Sequence, residues 1–369
     1  MHVGLVVHDY HPSFGQGRYC VELVNRLRDR VQFTVFAQSF HAPADPQVRQ
    51  VTVPGWRRNA LTTVYSFIPA AERRVQAAGV DLIHAQGLTC WHADVITGHM
   101  CNAGRLATAN TRWLKPRLFA WLALPGERNF YRHSGARHLI AISHRLAHEI
   151  RHHYHWHRPV TVIHHGTDTQ QFRPPHDAAE RQALRRRFRV EGDRWTWLFV
   201  GEAVKGLPQA IEQLAAFPQA RLLVVTRSPP DAYLPRARAL GVADRLVWHG
   251  FEPRPEEAYR AADLFLYAND HDPFGMVVTE AMATGLPVAV GETLGAAELI
   301  ENRVNGVKFN PHRPDEIHRQ LAWLAAHPDH AAALGRAARF TACAHTWERC
   351  AAETLAVYQR VWQEKQAGA

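Results

Sequence analysis

Residues 270–306 read DHDPFGMVVTEAMATGLPVAVGETLGAAELIENRVNG and come directly after a short apolar run, LFLYA (264–268). Within them, MVVTEAMA (276–283) has the composition of a helix. Gly285-Leu-Pro ends that helix before a second apolar run, PVAV (287–290). Strand, loop, helix and strand in this order form the repeating unit of a parallel sheet that is covered by helices. The stretch therefore predicts an α/β fold with functional groups just after its first strand.

Two carboxylates of this stretch lie at the start of the predicted helix and about two turns into it. Asp272 and Gly275 stand at the helix N-terminus, where free backbone N–H groups favour a phosphate. Because a carboxylate would repel phosphate, we interpret Asp272 as an acceptor of hydrogen bonds from hydroxyl groups. Glu280 suits a vicinal diol such as ribose. The spacing alone equally allows a capping Asp followed by an exposed helical Glu.

Short runs rich in Val, Ile and Leu alternate with helical stretches along the whole chain. We predict strands at 3–7, 32–36, 81–84, 94–97, 138–142, 160–163, 196–200, 221–225, 246–249, 264–267, 287–290 and 307–309. Continuous apolar strands between helices indicate parallel sheets that are covered on both faces. Two such series predict two doubly wound domains, and the polar, charged segment 172–194 is the expected boundary between them.

Composition narrows the class of partner. The 369 residues are 46% hydrophobic and 21% charged, which excludes a disordered, coiled-coil or collagen-like chain. Lys and Arg number 43 against 34 Asp and Glu, so the formal charge is +9 and favours an anionic partner. Nucleic acid, a phosphorylated substrate and a membrane surface all fit that charge. The five Cys show no C-x-x-C spacing, and the N-terminus lacks a signal-peptide pattern, so we predict a cytoplasmic protein.

The stretch 270–306 resembles the signature of retaining glycosyltransferases of family 4, E-P-F-G-x-x-x-x-E-A-M-A-x-G-x-P-V, with Asp272 in place of the first Glu. The resemblance implies that Asp272 is a catalytic-site residue that contacts hydroxyls of a donor sugar. It also implies that Glu280 binds the ribose of a nucleotide. The backbone amides that would hold the sugar and its diphosphate belong to Phe274, Gly275, Met276 and Val277.

Three other segments extend the resemblance. Gly15 and Gly17 resemble the glycine loop that approaches the donor phosphate, whereas a dinucleotide fingerprint fails because Cys20 stands at its third Gly. His99 ends a predicted strand like the family histidine beside the donor sugar, so the resemblance makes it catalytic. Lys205 resembles the family Lys that neutralises the diphosphate as charge builds on it.

Two further matches are interpreted as structural. Residues 162–168 resemble the family segment V-I-x-N-G-x-D, with His165 where Asn is usual. Trp347 and Glu348 resemble the start of the family's last helix, which implies packing rather than chemistry.

Together these observations predict a GT-B fold: α/β, with two Rossmann-like doubly wound domains facing a cleft. We expect an N-terminal acceptor domain (1–175), a nucleotide-sugar domain (190–346), and a C-terminal helix (347–369) that crosses back to the N-terminal domain. The implied activity is retaining transfer of a hexose from a nucleotide-diphosphate sugar, with UDP-glucose or a related UDP-hexose favoured, to a hydroxyl of an envelope glycolipid or polysaccharide. Order and length look closest to bacterial lipopolysaccharide core glucosyltransferases. A soluble-acceptor synthase of the same fold and a GDP-mannose-dependent enzyme remain alternatives.

We predict neither a metal nor a cofactor. Asp270-His271-Asp272 imitates a D-x-D metal motif, but its second Asp belongs to the longer signature, and the His-rich run 144–157 lacks the acid of H-E-x-x-H. Segment 105–132 interleaves basic residues with Trp, Phe and Leu, which suits an anionic membrane surface and equally a buried helix with basic edges. Peripheral association with the inner face of the cytoplasmic membrane is therefore an open expectation. No nucleic-acid-binding motif is visible.

Overall fold

The structure, a computed structural model, describes residues 1–13, 15–108 and 114–368, with side chains omitted at residues 60, 108 and 114–120. Its strands are β1 (His2–Val6), β2 (Asp9–Tyr10), β3 (Gln32–Ala37), β4 (Ser39–Phe40), β5 (Val48–Thr52), β6 (Leu82–Gln86), β7 (Val95–Gly98), β8 (His138–Ala141), β9 (Val160–Val162), β10 (Trp195–Val200), β11 (Ala220–Val225), β12 (Leu246–Gly250), β13 (Leu264–Tyr267), β14 (Val288–Gly291) and β15 (Val307–Phe309).

The helices alternate with these strands, as expected for a parallel sheet. They are α1 (Gly15–Leu27), α2 (Ala60–Gln76), α3 (Asn102–Thr108), α4 (Leu114–His133), α5 (His144–Tyr154), α6 (Ala178–Arg187), α7 (Leu207–Leu214), α8 (Leu234–Ala239), α9 (Pro255–Ala261), α10 (Met276–Ala283), α11 (Pro314–Ala326), α12 (Pro328–Cys343) and α13 (Trp347–Ala367). Short 3-10 turns lie at Pro230–Ala232, Ala243–Arg245 and Gly295–Leu299.

The chain divides into two compact units. The N-terminal unit comprises Met1–Gly166 together with Trp347–Ala369, and the C-terminal unit comprises Thr167–Thr346. The predicted boundary segment 172–194 contains α6, which belongs to the C-terminal unit.

Within the described residues, the N-terminal unit has one parallel sheet in the order β5-β3-β1-β6-β7-β8-β9, beside the small pair β2-β4. The central strands are almost wholly buried because helices cover both faces, and this explains their continuous apolar sequences. Helix α1 turns Cys20, Leu23, Val24 and Leu27 inward, which is the periodicity that its sequence shows.

The last helix, α13, completes this unit by packing against α1. An ion pair joins Arg26 of α1 to Glu348 at 2.8 Å, and Lys365 reaches Asp94 beside β7 at 3.0 Å. The final helix therefore returns to the N-terminal unit, as the sequence predicts.

The C-terminal unit contains a second parallel sheet, with the described strands in the order β12-β11-β10-β13-β14-β15. This is the Rossmann strand order, and the N-terminal sheet has the same order at its centre. The strand order reverses between β1 and β6 in the first sheet and between β10 and β13 in the second. Ligands of such sheets bind at the carboxyl ends of the strands beside that point.

Three strands were not predicted from the sequence. Strand β5 pairs with the edge of the first sheet, and its residues Val48–Thr52 are half exposed. An edge strand with polar residues has no continuous apolar run, so its sequence does not stand out from a loop. Strands β2 and β4 have only two residues each.

Candidate active site

The predicted carboxylate and ammonium groups of the C-terminal unit meet beside the point where its strand order reverses. Lys205 lies in the loop after β10, and Asp272 lies in the loop after the neighbouring strand β13. The Lys205 Nζ atom is 3.1 Å from Asp272 Oδ2. Lys205 is half-buried and Asp272 is more deeply covered, so the pair faces solvent from one side. The structure thus brings together two residues that the sequence separates by 67 positions.

A network of backbone and side-chain contacts fixes the Asp272 carboxylate. The Phe274 N–H donates to Oδ1 at 3.3 Å, and the Tyr267 hydroxyl donates to Oδ2 at 3.4 Å. The pKa of Tyr267 lies well above its ordinary value, first because the side chain is buried and second because Asp272 is nearby. From the other side, the Gly295 N–H donates to the Asp272 carbonyl at 3.0 Å. The turn at 295–299 therefore holds the Asp272 loop in place.

Gly275 connects this loop to α10. Its φ angle of +91° places it in the left-handed region at the helix N-cap, where a side chain would be strained. Met276 and Val277 follow as the first residues of the helix. Their N–H groups belong to the turn in which backbone donors lack carbonyl partners within the helix. The predicted backbone site at 274–277 thus lies at the start of an α-helix that begins beside the Asp272–Lys205 pair.

Glu280 is buried within α10, with only 5% of its surface exposed. The hydroxyl of Tyr259, from α9, donates to Glu280 Oε2 at 3.0 Å and also lies 3.2 Å from the Val277 carbonyl. The alternative of a capping Asp followed by an exposed helical Glu is therefore wrong for Glu280. Burying a carboxylate costs free energy unless it is hydrogen-bonded, and the Tyr259 hydroxyl supplies such a bond here.

A cavity that sequence analysis missed also lies at the carboxyl ends of the strands in this sheet. It has a volume of about 570 Å³ and is lined by residues 226–230 after β11 and 248–251 at the end of β12. The Arg227 guanidinium lies 4.3 Å from the centre of the Phe251 ring. The Ala203 N–H donates to Ser228 Oγ at 3.4 Å, which joins this cavity to the Lys205 loop. An Arg after one strand and an exposed Phe after the next were the available signal.

In the N-terminal unit, His99 follows β7 and is largely buried. Its Nε2 atom is 2.7 Å from Gln86 Oε1, at the end of the neighbouring strand β6. An amide oxygen can only accept, so Nε2 carries the imidazole proton and Nδ1 keeps a lone pair. Burial lowers the pKa of His99 to about 3. The imidazole is therefore neutral across the physiological pH range.

Gln86 is itself held by a buried network that the sequence did not reveal. The amide nitrogen of Gln86 lies 3.2 Å from His84 Nε2, which also lies 2.7 Å from Thr97 Oγ1. On the other side of the ring, His84 Nδ1 is 2.6 Å from the hydroxyl of Tyr358 in α13. Burial, followed by the proximity of His99, lowers the pKa of His84 to about 3. The last helix thus reaches His99 through two intervening side chains.

Aromatic rings surround the other side of His99. Tyr19 meets His99 edge-on at a centroid distance of 5.4 Å and stacks on His165 at 5.3 Å. His165 lies 5.9 Å from the Trp347 ring. Burial, followed by smaller contributions from His99, Arg18 and His164, lowers the pKa of His165 well below its usual value. The histidine at the usual Asn position is therefore a neutral member of an aromatic cluster.

These buried histidines make acid stability a test of the arrangement. Their folded pKa values lie below about 6.5, the value of an exposed histidine, so only the unfolded chain gains these protons as the pH falls. Below about pH 6.5, each should lower the free energy of unfolding by about 1.4 kcal/mol per pH unit. In the His165→Asn variant, the free energy of unfolding should therefore fall less steeply with decreasing pH, by about 1.4 kcal/mol per pH unit. Urea unfolding between about pH 7 and pH 5 measures this, and an unchanged slope would contradict the assignment.

Two family models match the chain. The "Glycosyltransferase Family 4" model matches residues 15–171, and the "Glycosyl transferases group 1" model matches residues 180–340. The chain belongs to the GT-B glycosyltransferases of family 4. Both predicted Rossmann-like domains, and the GT-B class to which they were assigned, are thereby confirmed.

Similar proteins include curated glycosyltransferases and solved structures of the same fold. A D-inositol 3-phosphate glycosyltransferase from Segniliparus rotundus is 32% identical over 213 residues, which is 54% of this chain and 46% of that relative. The chain spans about half the length of this and similar curated relatives. The crystal structure of WaaG, a glycosyltransferase involved in lipopolysaccharide biosynthesis, has a TM-score of 0.82 at 18% identity over 95% of this chain and 98% of WaaG. Anabaena HepE in complex with UDP-glucose has a TM-score of 0.73 at 20% identity, with 97% and 100% covered.

The two glycines of the predicted family 4 loop have different surroundings. Gly15 begins α1 at an exposed position, and a Cβ built on it would meet no atom within 4 Å. A Cβ on Gly17 would lie 2.5 Å from the Asp9 carbonyl oxygen and 2.8 Å from the His11 nitrogen. Gly17 therefore lets α1 approach the backbone around β2, whereas Gly15 lines open space.

We expect Gly17→Ala to lower the free energy of unfolding by about 1–3 kcal/mol, since the backbone around β2 must move to admit the methyl group. Gly15→Ala is the matched control and should leave stability unchanged or slightly raised, because alanine is the better helix former. Urea unfolding of both variants measures the difference. Equal effects of the two substitutions would show that the close approach at Gly17 is not needed.

Part of the predicted membrane segment 105–132 lies outside the described residues. Trp121 and Leu122 of α4 are exposed, at 65% and 46%, whereas Glu127, Phe130 and Tyr131 of the same helix are buried. Helix α4 is thus buried on one face and exposed at 121–122, an arrangement that both the membrane-surface and the buried-helix alternative allow. None of the described helices combines the length and the apolar character that a bilayer span requires.

Proposed function

We propose that this protein is a retaining, metal-independent glycosyltransferase that moves a hexose from a nucleotide-diphosphate sugar to an acceptor hydroxyl. The observation that carries the proposal is the Lys205–Asp272 pair, with its 3.1 Å contact at the carboxyl ends of two central strands. A cation at that position can bind the diphosphate, and the adjacent carboxylate can bind sugar hydroxyls. No cofactor is required, because the leaving diphosphate is part of the donor.

The neighbouring groups supply the rest of a nucleotide-sugar site. Glu280 accepts hydrogen bonds from the two ribose hydroxyls, and Tyr259 fixes the orientation of its carboxylate. The cavity beside Arg227 and Phe251 offers an aromatic face and a guanidinium, which suit a flat, polar nucleobase. The backbone N–H groups at the start of α10 can donate to the diphosphate or sugar.

The reaction follows front-face displacement, which the family resemblance implies. The acceptor oxygen forms a bond to the anomeric carbon as the bond between that carbon and the diphosphate oxygen breaks. The acceptor proton passes to a diphosphate oxygen, so charge and atoms balance without a protein base. Lys205 stabilises the charge that develops on the leaving group. His99, the predicted catalytic residue of the N-terminal unit, contributes a neutral hydrogen-bonding imidazole.

UDP-glucose or a related UDP-hexose is the favoured donor, in line with the UDP-glucose that HepE binds. Thermal shift and hydrolysis should be measured with a panel of UDP-glucose, UDP-galactose, GDP-mannose and ADP-glucose, with and without EDTA. We expect stabilisation and hydrolysis by a UDP-hexose that EDTA does not change and that Lys205→Ala abolishes. A response to GDP-mannose alone would favour the mannosyltransferase alternative. A response to none of the four nucleotide sugars would overturn the proposal.

The acceptor is proposed to be a hydroxyl of an envelope glycolipid or polysaccharide, in line with WaaG, a glycosyltransferase involved in lipopolysaccharide biosynthesis. The exposed Trp121 and Leu122 and the basic segment around them suit peripheral attachment to an anionic membrane. Sedimentation with anionic vesicles should be reversed by salt and weakened by Trp121→Ser. Binding only to neutral vesicles would contradict this attachment.

A soluble phosphorylated acceptor is the second candidate. It is favoured by the name of the Segniliparus relative, a D-inositol 3-phosphate glycosyltransferase. Incubation of the identified donor with an inositol phosphate in the absence of lipid tests it. Transfer under these conditions would favour the soluble acceptor, whereas transfer that requires a lipid extract would favour the glycolipid.

A further inference from the structure

A second cavity lies at the amino ends of the strands of the C-terminal sheet. It has a volume of about 550 Å³. Arg194 precedes β10, Arg221 lies at the start of β11, and Asp263 directly precedes β13, so these residues stand at the amino ends of three adjacent strands. Lys205 and Asp272 follow the carboxyl ends. A strand of six residues separates the two edges by about 20 Å, so this cavity is distinct from the donor site.

The wall of the cavity is built by arginines that the protein holds in place. Arg185 donates to the Gly192 carbonyl at 2.8 Å and to Asp263 Oδ2 at 3.2 Å. Arg181 donates to the Ala262 carbonyl at 3.1 Å and also pairs with Asp263. Asp263 Oδ2 further accepts the Thr196 N–H at 2.8 Å. The Asp263 carboxylate is therefore already shared by two guanidinium groups and a backbone donor.

Other guanidinium groups of the cavity are less well neutralised. Arg186 and Arg194 line it on the solvent side, and neither forms an ion pair within the described part of the chain. Arg221 donates to the Glu191 carbonyl at 2.5 Å, but its buried Nε has no hydrogen-bond partner among the described residues. Burial and the like charges of Arg185 and Arg194 lower the pKa of Arg221, which means that these cations crowd one another.

The charge balance indicates what would relieve this crowding. Four arginines line the cavity and Arg221 adjoins it, against the three carboxylates of Glu191, Asp193 and Asp263. The excess of two positive charges matches a phosphate dianion, and planar guanidinium groups bind phosphate through paired hydrogen bonds. Structural pairing alone would require fewer arginines, since Asp263 is satisfied by Arg181 and Arg185.

We propose that this cavity binds a phosphate group, with Arg186 and Arg194 as the ligands that close on it. The site lies in the C-terminal unit and does not depend on the proposed transfer reaction. The phosphate can belong to a free phosphorylated molecule or to a lipid headgroup, because both present the same dianion.

The first experiment measures melting of the full chain in inorganic phosphate against chloride at equal ionic strength. The wild-type protein should be stabilised by phosphate, and the Arg186→Ala/Arg194→Ala double variant should bind it at least about tenfold more weakly, which is about 1.4 kcal/mol. Without phosphate, the double variant should be as stable as the wild type or more so, because like-charge crowding falls. Arg236→Ala/Arg319→Ala removes the same charge from two exposed positions elsewhere and is the matched control.

Lys205→Ala separates this site from the donor site, which could itself bind phosphate. Stabilisation that persists in Lys205→Ala and disappears in the double variant supports the proposal. Vesicles of phosphatidylcholine with and without phosphatidic acid then distinguish the two sources of phosphate. Sedimentation that the double variant loses identifies a lipid headgroup. Phosphate binding without sedimentation, or with sedimentation that the double variant keeps through the exposed turn at 121–122, identifies a soluble ligand. Equal phosphate binding by the double variant and the wild type, or binding by neither, would overturn the proposal.

Discussion

Titration of UDP into the Glu280→Ala variant is expected to give no measurable heat of binding under conditions in which the wild-type protein binds. The carboxylate of Glu280 can accept from both ribose hydroxyls, and each hydrogen bond to a charged group contributes about 1.5–3 kcal/mol. Loss of both amounts to about 3 kcal/mol or more, which weakens binding by a factor of about a hundred or greater. Because Glu280 is buried and oriented by Tyr259, little reorganisation is needed when the nucleotide arrives.

The fold should survive this substitution. Tyr259 keeps the Val277 carbonyl as an acceptor at 3.2 Å after the carboxylate is removed, so no buried hydroxyl is left without a partner. A melting curve of the variant checks this point. If the variant melts like the wild type and binds UDP with the same affinity, Glu280 does not bind the ribose.

Two further variants separate charge from orientation. Glu280→Gln keeps the size of the side chain and an oxygen that can accept from Tyr259, so its loss of affinity should be smaller than that of Glu280→Ala. Tyr259→Phe keeps the carboxylate but removes the hydroxyl that orients it. We expect Tyr259→Phe to weaken UDP binding by about tenfold, which corresponds to one hydrogen bond.

The sequence predicts the sheets well because the central strands are covered on both faces. A strand such as β10, with five of its six residues buried, must be apolar throughout, and such a run can be recognised from its own sequence. Strand β5 shows the converse. Only one of its five residues is buried, so nothing in VRQVT distinguishes it from a loop.

The site could be predicted only in part from the sequence, for a different reason. Asp272, Glu280 and Lys205 follow strands within recognisable motifs, so their types and positions are visible in the sequence. Their partners are not, because Tyr259 and Glu280 are 21 positions apart on different helices, and His84 and Tyr358 are 274 positions apart. Such pairs are specified by packing in three dimensions, and no local spacing reports them.

The His99→Ala variant should turn over the donor about a hundredfold more slowly than the wild-type protein, with folding intact. Loss of one well-placed hydrogen-bonding group in an active site typically has this effect. The pKa of His99, about 3, means that the neutral imidazole is the working form. Protonation of His99 should therefore cause no fall in the activity of the wild-type protein above about pH 5.

Gln86 offers a sharper test of the same residue. In Gln86→Glu, a carboxylate replaces the amide oxygen that lies 2.7 Å from His99 Nε2, and the added negative charge should raise the pKa of the imidazole. Because the neutral form is the working one, activity of this variant should fall as the pH drops through the raised pKa. The wild-type protein should show no such fall over the same range. Nitrogen chemical shifts of the imidazole follow the same titration without any substrate.

These measurements distinguish a catalytic from a structural His99. A purely structural histidine would change stability in both variants but would leave the pH profile of turnover unchanged. Gln86→Leu removes the acceptor without adding charge, so it should slow turnover by releasing the ring while leaving its pKa low. Wild-type turnover in a folded His99→Ala variant would contradict the catalytic assignment. If Gln86→Glu shifts the imidazole titration but not the pH profile, the ring is held as described but takes no part in the reaction.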